Sequence, residues 1–210
     1  MKNNPIIGAI ILASGESKRL GTPKQLLEYK DKTLIHHMIE SALNSKCREI
    51  IVVIGAYAEN IKKHINKLPI DIIENQNWAE GKASSIRMGL KTLISKSDNV
   101  NAAIFLTCDQ PFISSDVIDC IIENYKKTKS TIVASKYADT IGVPALFDRK
   151  HFSEILLLKG DQGAKSIIAS YHEQVVTISF QKGAFDIDTI EDLNQHRNNE
   201  TATKRRKIKR

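Results

Sequence analysis

The chain has 210 residues, of which 41% are hydrophobic and 26% are charged, and its formal net charge is +7. This composition is ordinary for one globular domain that buries a sizeable core. No apolar run approaches the roughly 20 residues that cross a bilayer, and residues 6–13 are too short and wrongly flanked for a signal peptide. The three cysteines lack metal-like spacing and fit a reducing compartment, so we expect a cytoplasmic protein with no membrane partner.

The positive charge is concentrated at the C-terminus. Residues 204–210 carry six of the 31 basic side chains, and the remaining 25 stand against 24 acidic ones. A basic segment can bind nucleic acid electrostatically, but like-charge blocks are more often solvated and disordered. We therefore expect one domain over residues 1–197, a disordered basic tail over 198–210, and no nucleic-acid partner.

Short apolar runs alternate with helical patterns along the chain. Continuous β-branched runs predict buried strands at residues 6–13, 49–54, 70–73 and 102–107. Apolar residues at helical spacing predict helices around residues 34–43, 61–65, 84–94 and 117–125. After residue 131 the pattern loosens, and Gly142 and Pro144 interrupt a possible strand. Asp161 predicts the start of a helix through Ile168, and Thr189 with Asp192 forms a capping-box-like signal.

Strands that alternate with helices through short connections predict a parallel sheet covered on both faces. We therefore expect an α/β fold: a single domain with a Rossmann-like three-layer α/β/α architecture and a mostly parallel sheet. In such folds, ligands bind where loops leave the C-terminal ends of the strands.

The first loop at that edge spans residues 12–24. Gly15 and Gly21 let the backbone approach a ligand closely, and successive amides around small residues can form an anion-binding nest. Arg19 and Lys24 add two cations, a combination suited to a triphosphate. The spacing matches neither a P-loop nor the dinucleotide fingerprint. On composition alone, a flexible loop whose charges face water explains it equally well.

Acidic residues follow two later strands. Asp109 lies just past the fourth apolar run, where it can hold a divalent cation or simply cap the turn before Pro111. Asp186 and Asp188 alternate around Ile187, so in an extended segment their side chains point the same way. Helix capping is the alternative role for Asp188.

Residues 75–89 combine polar side chains with a glycine and a serine pair that opens a helix. Asn77, Ser84 and Ser85 can hydrogen-bond a base or ribose, although Asn77 also suits a structural turn. Trp78, the single tryptophan, belongs to a residue type that is more often packed in the core than stacked on a ligand.

Together these segments resemble the MobA-like nucleotidyltransferase family over residues 6–196. The family's opening pattern, L-A-x-G-x-S-x-R-x-G-x-x-K, is matched by Leu12, Ala13, Gly15, Ser17, Arg19, Gly21 and Lys24. Ser14 stands where family members usually carry Ala or Gly. The molybdenum cofactor cytidylyltransferase branch fits best. Its N-x-x-W-x-x-G-x-x-x-S-like, D-Q-P-F, G-x-P, G-D-x-G and D-I-D-T motifs are matched at residues 75–85, 109–112, 142–144, 160–163 and 186–189.

The resemblance implies a GT-A-like nucleotidyltransferase fold and a role for each matched residue. Arg19 and Lys24 would hold the triphosphate, and Asp109 would bind Mg²⁺. Asp186 or Asp188 would be a second metal ligand or orient the acceptor, and we favour Asp186 as the ligand. The acceptor side would include Gln110 and Asp188. The other expected nucleotide contacts are Leu12, Ala13, Ser14, Gly15, Asn75, Ser84 and Ser85.

The expected reaction is attack of an acceptor phosphate on the α-phosphorus of a nucleoside triphosphate, with release of pyrophosphate. Since a phosphate is already nucleophilic, positioning and charge neutralisation are the main requirements. The branch implies CTP as donor, the molybdenum–molybdopterin cofactor as acceptor and molybdenum hydroxylases as recipients. Three alternatives remain open: a GTP-dependent guanylyltransferase, a sugar- or polyol-phosphate nucleotidyltransferase, and a non-catalytic nucleotide-binding partner.

Overall fold

The computed structural model describes residues 4–17, 20–189 and 191–192. In this part of the chain the strands are β1 (Ile6–Ala13), β2 (Glu28–Tyr29), β3 (Lys32–Thr33), β4 (Glu49–Ile54), β5 (Asp71–Glu74), β6 (Val100–Thr107), β7 (Ile132–Tyr137), β8 (Thr140–Asp148) and β9 (Val175–Ser179). The α-helices are α1 (Leu34–Leu43), α2 (Ala58–Ile65), α3 (Lys82–Lys96), α4 (Ser115–Thr128), α5 (Phe152–Ile155) and α6 (Ala164–Ser170).

Seven of these strands form one sheet in the order β5-β4-β1-β6-β8-β7-β9, and β2 pairs with β3 in a small hairpin. The pairs β5/β4, β4/β1, β1/β6 and β7/β9 are parallel, while β8 runs antiparallel to both of its neighbours. The prediction of a mostly parallel α/β sheet in a single domain is therefore confirmed. None of the described residues belongs to a helix long and apolar enough to cross a membrane.

Each face of the sheet buries its own apolar layer. One layer joins inward side chains of β1, β4 and β6 to α1, α2 and α4, with Ile35, Ile61 and Ile118 fully buried. The other joins the opposite side chains of these strands to α3, α5 and α6, with Leu90 and Leu93 fully buried. Burial on both faces explains why the central strands read as continuous apolar runs rather than as alternating patterns.

Two local predictions after residue 131 have different outcomes. Gly142 and Pro144 lie inside β8 and interrupt it as predicted, because the pairing with β7 changes register between Ala134 and Ser135. Proline has no N–H to donate, and such an irregularity in the ladder tolerates it. The predicted helix start at Asp161 is wrong. Residues 159–162 form a separate turn, and α6 begins three residues later, at Ala164.

Candidate active site

Three neighbouring strands end together at one edge of the sheet. Because β1, β4 and β6 are parallel and in register, Ala13 pairs with Ile54 and Leu12 pairs with Thr107. The segments that follow these strands therefore emerge side by side. Leu12 is half-buried at the end of β1 and Ala13 is buried, while Gly15 is exposed with nothing within 4 Å of where a Cβ would lie.

The loop after β1 returns to the sheet edge through a short turn. The backbone N–H of Lys24 donates to Ser17 Oγ at 3.1 Å. Gly21 has a φ of 65°, a left-handed conformation that favours glycine. Lys24 itself begins a short 3-10 turn, Lys24–Leu26, and its side chain is four-fifths buried. Arg19, the other predicted triphosphate cation, lies outside the described residues, so its role stays a prediction.

Lys24 brings together two of the predicted acidic residues. Its Nζ donates to Asp109 Oδ2 at 2.7 Å and to Asp188 Oδ1 at 3.0 Å. The two carboxylates retain 25% and 35% of their side-chain exposure, so the group is shielded but reachable from solvent. The helix α4 that follows is capped by Ser114, whose Oγ accepts from the backbone N–H of Val117.

Backbone and side-chain hydrogen bonds hold the 186–188 segment beside Asp109. The N–H of Ile187 donates to the Asp109 carbonyl at 2.8 Å, and the buried Gln110 amide donates to the Gly183 carbonyl at 2.9 Å. Ile187 is fully buried, whereas Asp186 and Asp188 are only partly shielded from solvent, Asp186 less than Asp188. The alternation predicted for this segment is thus confirmed. Gln110, expected on the acceptor side, directs its amide N–H into this packing.

The predicted capping-box contacts form directly after this segment. Asp192 Oδ2 accepts from the backbone N–H of Thr189 at 2.8 Å and from that of Asp188 at 3.1 Å, while Thr189 Oγ1 accepts from the Asp192 N–H at 3.1 Å. Because Thr189 and Asp192 satisfy these amides, the Asp188 carboxylate does not serve as the cap and is bonded to Lys24.

Negative charge exceeds positive charge among the described residues of this site. Partial burial, together with the charges of Asp109 and Asp188, raises the pKa of the Asp186 carboxyl. Burial alone would lower the pKa of Lys24, but its contacts with Asp109 and Asp188 outweigh this and raise it. Among the described residues, the carboxylates of Asp109, Asp186 and Asp188 therefore lie around the Lys24 ammonium group.

A divalent cation fits this group of carboxylates only when a bound substrate supplies further oxygen atoms. In the described part of the chain, no cluster of three or more His, Cys, Asp or Glu side chains forms a ready-made metal cage. Mg²⁺ is usually held by one or two carboxylates together with substrate phosphates and water. Asp109 and Asp186, or Asp188 in place of Asp186, supply oxygen donors of that kind.

A buried polar network lies next to the loop that follows β1. Asn75 Nδ2 donates to Ser84 Oγ and Ser85 Oγ, both at 2.8 Å, and Asn75 Oδ1 accepts from the backbone N–H of Asn77 at 3.0 Å. Ser85 Oγ is also hydrogen-bonded to Ser14 Oγ at 2.6 Å. Asn75, Ser84 and Ser85 are at most 6% exposed. The serine at position 14 therefore has a specific partner in this chain.

Two residues of the site were missed by the sequence reasoning. At Gly55 an added Cβ would lie 2.7 Å from Trp78 Cβ and 2.9 Å from Ser14 Cβ, so glycine lets the three segments meet. Gln25 is 2% exposed, and its Nε2 donates to the carbonyls of Ala13 and Gly15, both at 3.0 Å. The only sequence signal for Gln25 is an amide placed directly after the predicted lysine.

The G-D-x-G motif at residues 160–163 contacts the start of α3 directly. The backbone N–H of Ala83 donates to the Gly160 carbonyl at 3.0 Å, at the first turn of α3. Gly81 has a φ of 106°, and a Cβ there would lie 2.5 Å from the Gly160 carbonyl. This motif, from the second half of the domain, therefore supports the first turn of α3, which begins at Lys82 and carries the serine pair.

Residues 9–175 match the model of the MobA-like NTP transferase domain. The chain is 26% identical to the nicotine blue oxidoreductase of Paenarthrobacter nicotinovorans over 201 residues, covering 90% of this chain and 95% of that protein. It is 29% identical to the molybdenum cofactor guanylyltransferase of Syntrophotalea carbinolica, covering 63% and 58% of the two chains. It is 32% identical to the 2-C-methyl-D-erythritol 4-phosphate cytidylyltransferase of Thermosipho melanesiensis, covering 70% and 65%.

A solved structure extends the likeness to almost the whole chain. The fold matches that of Rv0371c from Mycobacterium tuberculosis H37Rv with a TM-score of 0.78 and 26% identity, covering 92% of this chain and 98% of that one. The fold therefore follows that of this solved structure nearly from end to end.

Proposed function

Since the chain belongs to the MobA-like NTP transferase family, we propose that this nucleotidyltransferase moves CMP from CTP to a phosphate-bearing acceptor in the cytoplasm and releases pyrophosphate. The acceptor we propose is the molybdenum–molybdopterin cofactor, for delivery to molybdenum hydroxylases. The observation that carries the proposal is the bridge from Lys24 to Asp109 and Asp188, beside a glycine-containing loop at the C-terminal edge of the sheet.

In this proposal Lys24 and Arg19 bind the triphosphate and stabilise the charge of the departing pyrophosphate. Asp109 and Asp186 hold Mg²⁺, which when bound neutralises phosphate charge and orients the reacting oxygens. Asp188 faces the acceptor, and the buried Gln110 supports this side through its bond to the Gly183 carbonyl. No general base is required, because the attacking oxygen of a phosphate is already ionised. The chain's contribution is to position two anions that would otherwise repel each other.

Two kinds of relative support different donors. The cytidylyltransferase relative favours CTP, and the guanylyltransferase relative supports both a molybdenum cofactor acceptor and GTP as the alternative donor. A sugar- or polyol-phosphate acceptor remains the second alternative. A thermal-shift panel of CTP, GTP, ATP and UTP with Mg²⁺ tests the donor, because a ligand that binds only the folded state raises its apparent stability. We expect selective stabilisation by CTP, and selective stabilisation by GTP would replace the cytidylyl assignment.

One relative points to a different class of function. The alignment with an oxidoreductase spans 90% of this chain, which makes a redox enzyme the second candidate. The Lys24 bridge favours nucleotidyl transfer, since the ammonium group can bind phosphate while the neighbouring carboxylates offer oxygen ligands to a divalent cation. Mg²⁺-dependent pyrophosphate release from CTP in the presence of acceptor is expected for the transferase. CTP binding without turnover on any acceptor would favour a non-catalytic nucleotide-binding partner.

A further inference from the structure

Gln25 connects the proposed triphosphate loop to the turn that carries Lys24. It follows Lys24 in the 3-10 turn Lys24–Leu26, and it is 2% exposed. Its Nε2 donates to two carbonyls of the loop, those of Ala13 and Gly15, both at 3.0 Å. One buried amide therefore fixes two alternate peptide groups of the loop.

The direction of these bonds decides which way the loop amides point. In a trans peptide the carbonyl and the following N–H point in opposite directions. Since the Gly15 carbonyl turns toward Gln25, the N–H of the peptide that joins Gly15 to Glu16 turns away from it. Gly15 is exposed, and a Cβ there would meet nothing within 4 Å, so this stretch of backbone is accessible to a ligand. Backbone N–H groups displayed in this way are suited to binding phosphate oxygens.

The oxygen of the Gln25 amide indicates that glutamine serves here as a hydrogen-bond donor. Both bonded partners are carbonyls, so the NH₂ group must face them, and the orientation of the amide is fixed. This leaves Gln25 Oε1 buried, and within the described residues it has no hydrogen-bond partner. A buried unpaired acceptor is unfavourable, and an apolar side chain of similar length would avoid it.

Other contacts hold the same loop from the opposite flank. The carbonyl of Ser14 accepts from the backbone N–H of Ala56 at 3.1 Å, and Ser14 Oγ is bonded to Ser85 Oγ. With Gln25 on the two flanking carbonyls, three successive residues of the loop are fixed by partners outside it. The loop conformation is thus formed before a ligand arrives, which lowers the entropic cost of binding.

We propose that Gln25 is a positioning residue that shapes the loop after β1 into a binding site for the β- and γ-phosphates of the nucleotide. This inference rests on the proposed function and deepens it. Gln25 acts through the backbone of residues 13–16 and does not itself contact the nucleotide. Its contribution should therefore depend on the number of phosphates on the ligand and not on the base.

The test is a calorimetric binding series of cytidine, CMP, CDP and CTP, all with Mg²⁺, on the wild-type chain and two variants. Gln25→Met keeps the length of the side chain but removes the donors, and Gln25→Glu keeps its shape. Gln174→Met, at an exposed glutamine, is the matched control. We expect both Gln25 variants to lose at least about tenfold in CTP affinity, an intermediate factor for CDP, and less than about twofold for CMP and cytidine.

An equal loss for all four ligands would overturn the inference, because it would mean general damage to the pocket. Unchanged CTP affinity in both folded variants would overturn it as well. If Gln25→Met does not fold, the isosteric Gln25→Glu alone decides, with its fold checked by circular dichroism. Failure of the wild-type chain to bind any phosphorylated ligand would instead contradict the proposed function, so the two failures are distinguishable.

Discussion

Asn75 should be a stability residue, which Asn75→Ala tests directly. Asn75 is 1% exposed, donates to Ser84 Oγ and Ser85 Oγ, and accepts from the N–H of Asn77. At about 0.5–1.5 kcal/mol for each net hydrogen bond, three lost bonds would cost about 1.5–4.5 kcal/mol. Ser84 keeps the Gly81 carbonyl and Ser85 keeps Ser14 as partners, which reduces the loss. We therefore expect a loss of about 2–3 kcal/mol.

For a domain of this size, that loss corresponds to a fall in Tm of about 4–12 °C. Thermal unfolding followed by circular dichroism measures it, and Asn66→Ala, at an exposed helix end, is the control. If the Asn75 amide bound only the nucleotide, Asn75→Ala would leave Tm unchanged and weaken CTP binding alone. A fall in Tm no larger than that of the control would refute the network argument.

Three further predictions concern Gly81, Asp186 and Lys24. Gly81→Ala should lower the free energy of unfolding, measured in urea, by at least about 1–3 kcal/mol, because Gly81 has a φ of 106° and Gly160 leaves no room for a Cβ. The control Gly163→Ala, where the space for a Cβ is open, should change it little. Asp186→Asn should stabilise the metal-free protein by about 0.3–1 kcal/mol at pH 7.5, after allowance for solvent screening, by removing the cost of partly burying the charge and the repulsion from Asp109 and Asp188. The folded-state pKa of Asp186 is raised, so the gain in stability should fade as the pH falls through that pKa and vanish below the unfolded value of about 3.9. A gain that persists at pH 3 would show that the charge of Asp186 is not its source. Lys24→Met should raise the Mn²⁺ affinity of the nucleotide-free protein about three- to tenfold, because it removes the ammonium group that competes with the metal for Asp109 and Asp188. Electron paramagnetic resonance titrations measure this affinity, and a lower affinity in the variant would contradict the competition.

The central strands were predictable because burial on both faces leaves a simple signal. Residues 6–13 and 49–54 are strands with the predicted bounds. The second half was harder, since β8 is antiparallel and contains Pro144. Gly142 and Pro144 signal an interruption, but no local pattern shows that β8 pairs antiparallel with β6 and β7 on its two sides.

The charged part of the site was predictable, and its supports were not. Lys24, Asp109 and Asp188 follow strand-like segments or a recognisable loop motif, and parallel strand ends meet at one edge of the sheet. Gln25 supports the loop after β1 through a hydrogen bond to the Ala13 carbonyl, and Gly55 lets Trp78 and Ser14 lie close to the backbone. Both contacts join segments that are separate in sequence. Such contacts leave no local pattern.

The most direct test of the account is Mg²⁺-dependent pyrophosphate release from CTP with a molybdopterin acceptor. Lys24→Ala and Asp109→Ala should each abolish release while circular dichroism shows an intact fold. Lys63→Ala and Asp98→Ala, at exposed positions away from the site, should retain wild-type rates. Near-normal turnover in either site variant would contradict the assignment of the Lys24–Asp109 pair as the catalytic centre.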